Sequence, residues 1–271
     1  MKRLAYWCAV LGLLAVTLFP AYWMVVTSLK PAGEIFSFPP RLLPLRPSLA
    51  AFATIFRERP MVRYVLNSLV VSGFTTVLAV TLSALAAYGF TRFEMRGAAS
   101  LAVALLFVKM LPETLLVVPF FRILSAAGLI DTYVALVLAY SSFAVPFCLW
   151  MLIGFFRGIP RAIDEAAVVD GASRMQAFLL VVLPLARPGL AAVGFFTFIT
   201  AWNSYLWALV LTTQADMFVI SVGVANMVGE YRVQWNELMA ASVVATVPAA
   251  TLFLLFSRQL VAAVTAGAVK G

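Results

Sequence analysis

The chain has 271 residues, 64% of them hydrophobic and 11% charged, with a mean hydropathy of +1.03. A soluble domain carries about 25% charged residues, so this apolar content excludes a single water-soluble core and makes lipid the solvent. The net charge of +8 is scattered in ones and twos, without the basic–aromatic runs of a nucleic-acid surface, and the absence of His removes the commonest metal ligand and neutral-pH acid–base group.

A helix needs about 20 apolar residues to cross the hydrocarbon core. Six segments meet that need: 4–27, 66–90, 98–120, 132–156, 190–212 and 238–257. The expected fold class is all-α integral membrane, one domain over 1–271. The first segment is too long for a signal-peptide core and reads as a retained span. Residues 28–65 form a proline-rich outer loop, in which Ser48–Glu58 reads as a short interfacial helix with Ser48 as cap. The third segment carries Pro112 and Pro119. Residues 98–111 alone reach about 21 Å, so the helix is expected to continue past a kink at Pro112. Cys8 and Cys148 fall in apolar runs and read as packing groups rather than a disulfide. Basic residues in short connections (Lys2/Arg3, Arg92/Arg96, Arg157/Arg161) favour both termini on the cytoplasmic side.

The long inner loop, 157–189, reads as two short helices with a sharp break. Pro160 suits a first helical turn, and Asp164 and Glu165 follow where the helix dipole favours anions. Gly171 supplies a left-handed stop. Ser173 and Gln176 then stand at capping-box spacing, opening a second helix expected to end before Pro184. On the first helix Ala162, Ala166 and Val169 form a small apolar face that another protein could approach closely. An amphipathic loop resting on the bilayer fits the same residues.

Two spans carry polar–aromatic faces. In the fourth, Tyr140, Ala144 and Phe147 form a stripe; in the fifth, Thr200, Asn203, Ser204 and Trp207 share a side, with Trp202 and Tyr205 adjacent. Aromatic faces stack on sugar C–H groups, and hydroxyls and amides bond sugar hydroxyls. Helix–helix packing uses the same residue types in membranes. Of the 11 acidic residues only Glu113 falls inside a span, and Lys109, four residues earlier, is placed to neutralise it. There is no phosphate-binding loop and no cluster arranged for catalysis. With no clear ion-coupling site, a self-contained ion-coupled carrier is a remote alternative to a chain that borrows its driving force.

Glu165-Ala166-Ala167, three residues, Gly171, nine residues, then Val181-x-Leu183-Pro184 resembles the EAA motif of binding-protein-dependent ABC importer permeases. Val181 stands where that family usually has Ile. Asp170-Gly171-Ala172, Leu183-Pro184-Leu185 and Pro188-Gly189 extend the likeness, as do Gly154-Phe155-Phe156, Ile159-Pro160 and Trp202–Trp207. The end, Thr265–Gly271, resembles the carbohydrate branch and its maltose-type second permease. The resemblance implies a six-helix type I importer permease of a bacterial inner membrane. It implies a heterodimer with a second permease, two ATPase subunits and an extracytoplasmic solute-binding protein. ATP and Mg would sit in the ATPase subunits, leaving no cofactor in this chain. It assigns ATPase docking to Glu165, Ala166, Ala167, Asp170 and Gly171. It also places a sugar path, for a di- or oligosaccharide, along the two polar–aromatic faces. Glycerol 3-phosphate or a related polyol phosphate is the alternative cargo.

Overall fold

The computed structural model describes residues 2–93, 96–229 and 233–268. The tail 269–271 of the carbohydrate-branch ending lies outside these residues. Among the described residues the regular structure is helical, with no strand. The chain divides into two compact units, 1–65 with 220–248 and 66–219 with 249–271.

The first unit contains α1 (Lys2–Ser28), α2 (Ala50–Glu58) and α12 (Ile220–Ala225). Most of the apolar surface of α1 is exposed, as suits a helix solvated by lipid or covered by another chain. The proline-rich loop folds back on its end. Lys30 lies 4.2 Å over the Trp23 ring and donates to the Arg41 carbonyl at 2.7 Å, while Tyr22 donates to the Leu42 carbonyl at 2.6 Å. The helix expected over Ser48–Glu58 is present from Ala50, with Leu49 rather than Ser48 at the N-cap. The Ser48 hydroxyl still accepts the Ala50 N–H at 3.1 Å, so it caps from one residue further out. Ala51 and Ile55 are its buried face. Gly223 of α12 packs directly on the Tyr64 ring, where any side chain would collide.

The second unit holds most of α3 (Met61–Arg92), then α4 (Ala98–Met110), α5 (Glu113–Ala126), α6 (Tyr133–Arg157), α7 (Arg161–Val169), α8 (Arg174–Ala177), α9 (Leu183–Leu185), α10 (Arg187–Trp202) and α11 (Leu206–Leu211). The end of α13 (Trp235–Ala268) also belongs to it. The central helix is α6, whose buried residues recur around its whole circumference, from Ala135 to Phe156. With α3, α10 and the turn Phe178–Val182 it forms a core of small and large side chains: Ala84, Ala87 and Tyr88; Cys148, Leu149, Leu152 and Phe156; Phe178, Val182 and Val193. Cys148 is buried and Cys8 exposed, and both are free thiols.

Four described helices are long and apolar enough to cross a membrane: Arg3–Ser28, Met61–Arg92, Tyr133–Arg157 and Trp235–Leu260. The third and fifth expected spans are not continuous. Instead of a kink, Leu111–Pro112 makes a full break between α4 and α5. Proline removes a helical donor and disfavours helical backbone in the residue before it, and here both effects end α4. Pro119, by contrast, is carried inside α5. The fifth span breaks at Asn203–Tyr205, separating α10 from α11. Asn203 turns back to donate to the Ile199 carbonyl at 2.9 Å, and the Ser204 N–H closes a tighter turn on Ala201 at 3.2 Å. The Asn203 side chain competes in this way with the helical ladder, and the helix ends here.

Candidate functional site

Residues 157–189 fold as two helical arms. Pro160 is the N-cap of α7 rather than part of its first turn. Gly171 takes φ +93°, the left-handed stop expected of it. Ser173 accepts the Gln176 N–H at 3.2 Å and Gln176 accepts the Ser173 N–H at 2.8 Å, completing the capping box. The second arm does not end before Pro184. It runs from α8 through a π turn, Phe178–Val182, into α9, which ends at Leu185. A proline ring collides with the carbonyl four residues back in a regular α-helix, and the widened turn around Leu180 accommodates it.

On α7, Ala162, Glu165 and Ala166 are exposed, and Val169 is 86% exposed. Ala167 is half-buried, while Asp170 and Gly171 are exposed at the C-terminal end. The predicted docking residues are thus together, mostly on one open surface. Asp164 is instead buried, on the opposite side. Its Oδ2 accepts from Arg92 Nε at 2.8 Å. The second arm rests on α3 as well: Tyr88 packs on Phe178 with ring centroids 4.8 Å apart, and its hydroxyl donates to the Arg174 carbonyl at 3.3 Å.

A small cavity of about 30 Å³ opens where α3, α4, α5, α6, α10 and α11 meet, lined by Thr75, Lys109, Glu113, Tyr140, Phe143, Ala144, Thr197, Thr200, Ala201, Ser204 and Trp207. Of the predicted path residues, Tyr140, Ala144, Thr200, Ser204 and Trp207 meet there. The others lie elsewhere. Phe147 packs on Phe196, 4.6 Å between centroids, and Trp202 is buried and stacked on Phe198 at 5.8 Å. Asn203 is spent on the helix end, and Tyr205 is 41% exposed. Lys109 and Glu113 both line the cavity, but no ion pair joins them, because the break at Leu111–Pro112 destroys the i, i+4 relation assumed for them. Glu113 instead accepts from Trp207 Nε1 at 3.1 Å.

Thr75, Phe143, Thr197 and Ala201 were not identifiable from the polar–aromatic stripes. Thr75 is wholly buried with an unpartnered hydroxyl. Thr197 bonds the Val193 carbonyl at 2.8 Å and Cys148 Sγ at 3.0 Å. Phe143 joins Phe120 and Trp207 in an aromatic cluster with centroids 5.1–6.1 Å apart. The wall therefore offers hydroxyls, one carboxylate, one ammonium and aromatic edges. Its volume admits a water or a hydroxyl group, not a sugar ring.

A family model described as binding-protein-dependent transport system inner membrane component matches residues 79–266, which include both the two-armed loop 157–189 and most of the cavity wall. The chain is 39% identical over 274 residues to the trehalose transport system permease protein SugB of Mycobacterium tuberculosis (strain CDC 1551 / Oshkosh), covering 100% of this chain and 99% of that one. It is 36% identical over 254 residues to the sulfoquinovosyl glycerol transport system permease protein SmoH of Agrobacterium fabrum (strain C58 / ATCC 33970), covering 94% and 89%. Among solved structures it is similar to a chain of a bacterial ABC transporter involved in import of the acidic polysaccharide alginate, with a TM-score of 0.81, 20% identity and coverage of 95% and 96%. At that identity the likeness is one of fold.

Proposed function

Because the chain belongs to the family of binding-protein-dependent transport system inner membrane components, we propose that it is one of two permease subunits of an ATP-driven sugar importer. In this reading the second permease completes the path, two ATPase subunits hold ATP and Mg, and an extracytoplasmic solute-binding protein delivers a di- or oligosaccharide. Both termini are cytoplasmic, on the side of the ATPases.

The observation that carries the reading is the two-sided character of α7. Its Ala162–Glu165–Ala166–Val169 face is bare, while its other side is anchored in the chain. A surface of small side chains, edged by one acid, suits a cleft in another protein that presents a basic group. Closing of the ATPase pair would move α7 and, through it, the spans around the cavity. Sugar cargo is supported by relatives named for trehalose and for sulfoquinovosyl glycerol. It is also supported by the hydroxyl and aromatic groups of the cavity wall.

Lys109 on the same wall favours a second reading, an anionic cargo such as a polyol phosphate. Uptake by proteoliposomes separates the two. The full complex with its binding protein should import a labelled disaccharide on ATP, and Glu165→Lys should abolish that import while leaving the chain in the membrane. Transport by this chain alone on an ion gradient would refute the importer reading. Uptake of glycerol 3-phosphate in place of the disaccharide would establish the anionic cargo.

A further inference from the structure

The helix α7 packs on the second arm and is tied to α3 by directional polar contacts. Asp164 is its one buried residue. It faces Arg92, the last residue of α3, and the two side chains are 2% and 4% exposed. The same guanidinium donates from Nη1 to the Phe156 carbonyl at 3.4 Å and from Nη2 to the Ile159 carbonyl at 3.1 Å, gripping the end of α6. In the reverse direction Arg161, the first residue of α7, donates to the Thr91 carbonyl at 2.8 Å. Arg92 thus stands at a junction where α3, α6 and α7 are joined through one side chain.

A buried ion pair is seldom the most stabilising way to fill such a position, because desolvation of both charges offsets most of their attraction. What it supplies is a fixed geometry: a planar fork whose donors leave in set directions. The pair is also incomplete. Asp164 Oδ1 is buried with no hydrogen-bond partner, so the carboxylate accepts through one oxygen only. A rotation of α7 that brought Oδ1 to a guanidinium N–H would relieve that deficit, and it would pull on Phe156 and Ile159 through the same group.

We propose that Arg92 and Asp164 are positioning residues that convert movement of α7 into movement of α3 and α6, the one-oxygen contact being one of two registers. The inference rests on the reading of α7 as the ATPase-docking helix. It adds the device by which docking reaches the membrane helices.

The experiment uses the complete transporter with its binding protein and ATPase subunits in proteoliposomes, and reads uptake per ATP hydrolysed. Asp164→Asn keeps an oxygen for Arg92 but removes the charge. Arg92→Lys keeps the charge but cannot hold both carbonyls and the carboxylate. Both variants should assemble and hydrolyse ATP, with uptake per ATP lowered by about tenfold, within the roughly 5–150-fold span of typical coupling between sites. Assembled variants with wild-type uptake per ATP would overturn the proposal. So would failure of both variants to accumulate in the membrane, which would make the pair a structural brace only. A wild-type complex without ATP-driven uptake would remove the importer reading first, and this inference with it.

Discussion

Trp207 donates its indole N–H to the Glu113 carboxylate at 3.1 Å, tying the first turn of α11 to the first residue of α5. Each of these helices begins just after a break in an apolar segment, so the bond joins two restarts across the cavity. Trp207 is 2% exposed and cannot turn to water in this arrangement. Glu113→Ala should therefore leave a buried donor without an acceptor, at a cost of about 1–3 kcal/mol. Glu113→Gln keeps an oxygen in place and should lose clearly less. Thermal unfolding of the purified protein in detergent reads the difference, and equal Tm values for the two variants would show that the bond contributes nothing.

Gly189 lies in the first turn of α10, against α6. A Cβ there would stand 2.5 Å from Phe155 Cγ, at the root of the ring and not at a movable tip. Gly189→Ala should thus cost about 1–3 kcal/mol by overpacking. Phe155→Ala in the same chain removes that Cγ and should recover part of that loss, giving a favourable interaction energy in a double-mutant cycle. Additive losses would mean that the two residues do not meet.

What could be read in advance from the residues was local. Gly171 needs only its own φ, and the Ser173–Gln176 box spans three residues, so both were visible as patterns. The positions of the long apolar helices were visible for the same reason. Arg92 and Asp164 are 72 residues apart, and neither carries a local sign of the other. On α6 the stripe Tyr140–Ala144–Phe147 missed Phe143, which faces the cavity, and included Phe147, which does not. A helix buried around its circumference has no single apolar side, so periodicity cannot tell which face meets a cavity. Ser204 reaches the cavity as its polar face suggests, whereas the Asn203 side chain turns back on Ile199 at the helix end.

Asp131 sits between α5 and α6 at φ +60°, a left-handed conformation that Asp tolerates better than most residues. Its carboxylate accepts from the Thr213 N–H, the Thr213 hydroxyl and the Gln214 N–H, and its own N–H donates to the Leu211 carbonyl at 3.0 Å. Partial desolvation works against ionisation, but the three hydrogen bonds outweigh it and hold the carboxyl below its ordinary value. A depressed folded-state value gives stability that is present above the unfolded pKa, about 3.9, and lost as pH falls through the folded value. Wild type should therefore be more stable than Asp131→Asn near neutral pH, with the gap narrowing below about pH 4. Tm measured against pH for both proteins tests this, and a gap that stays constant down to the lowest pH would refute it.

The bare face of α7 makes the docking reading testable without disturbing the fold. Ala166 is exposed in this chain. An exposed substitution of this kind usually alters stability by no more than about 0.5 kcal/mol, so Ala166→Trp should leave Tm close to wild type. A cleft shaped to small side chains would reject the indole, however. Loss of even about 1.4 kcal/mol at that contact weakens ATPase association about tenfold. Co-purification of ATPase subunits with the tagged chain should fall accordingly, and ATP-driven uptake with it. Full ATPase retention by an Ala166→Trp chain would show that the partner binds some other part of the inner surface, and that the exposed small residues of α7 serve the bilayer instead.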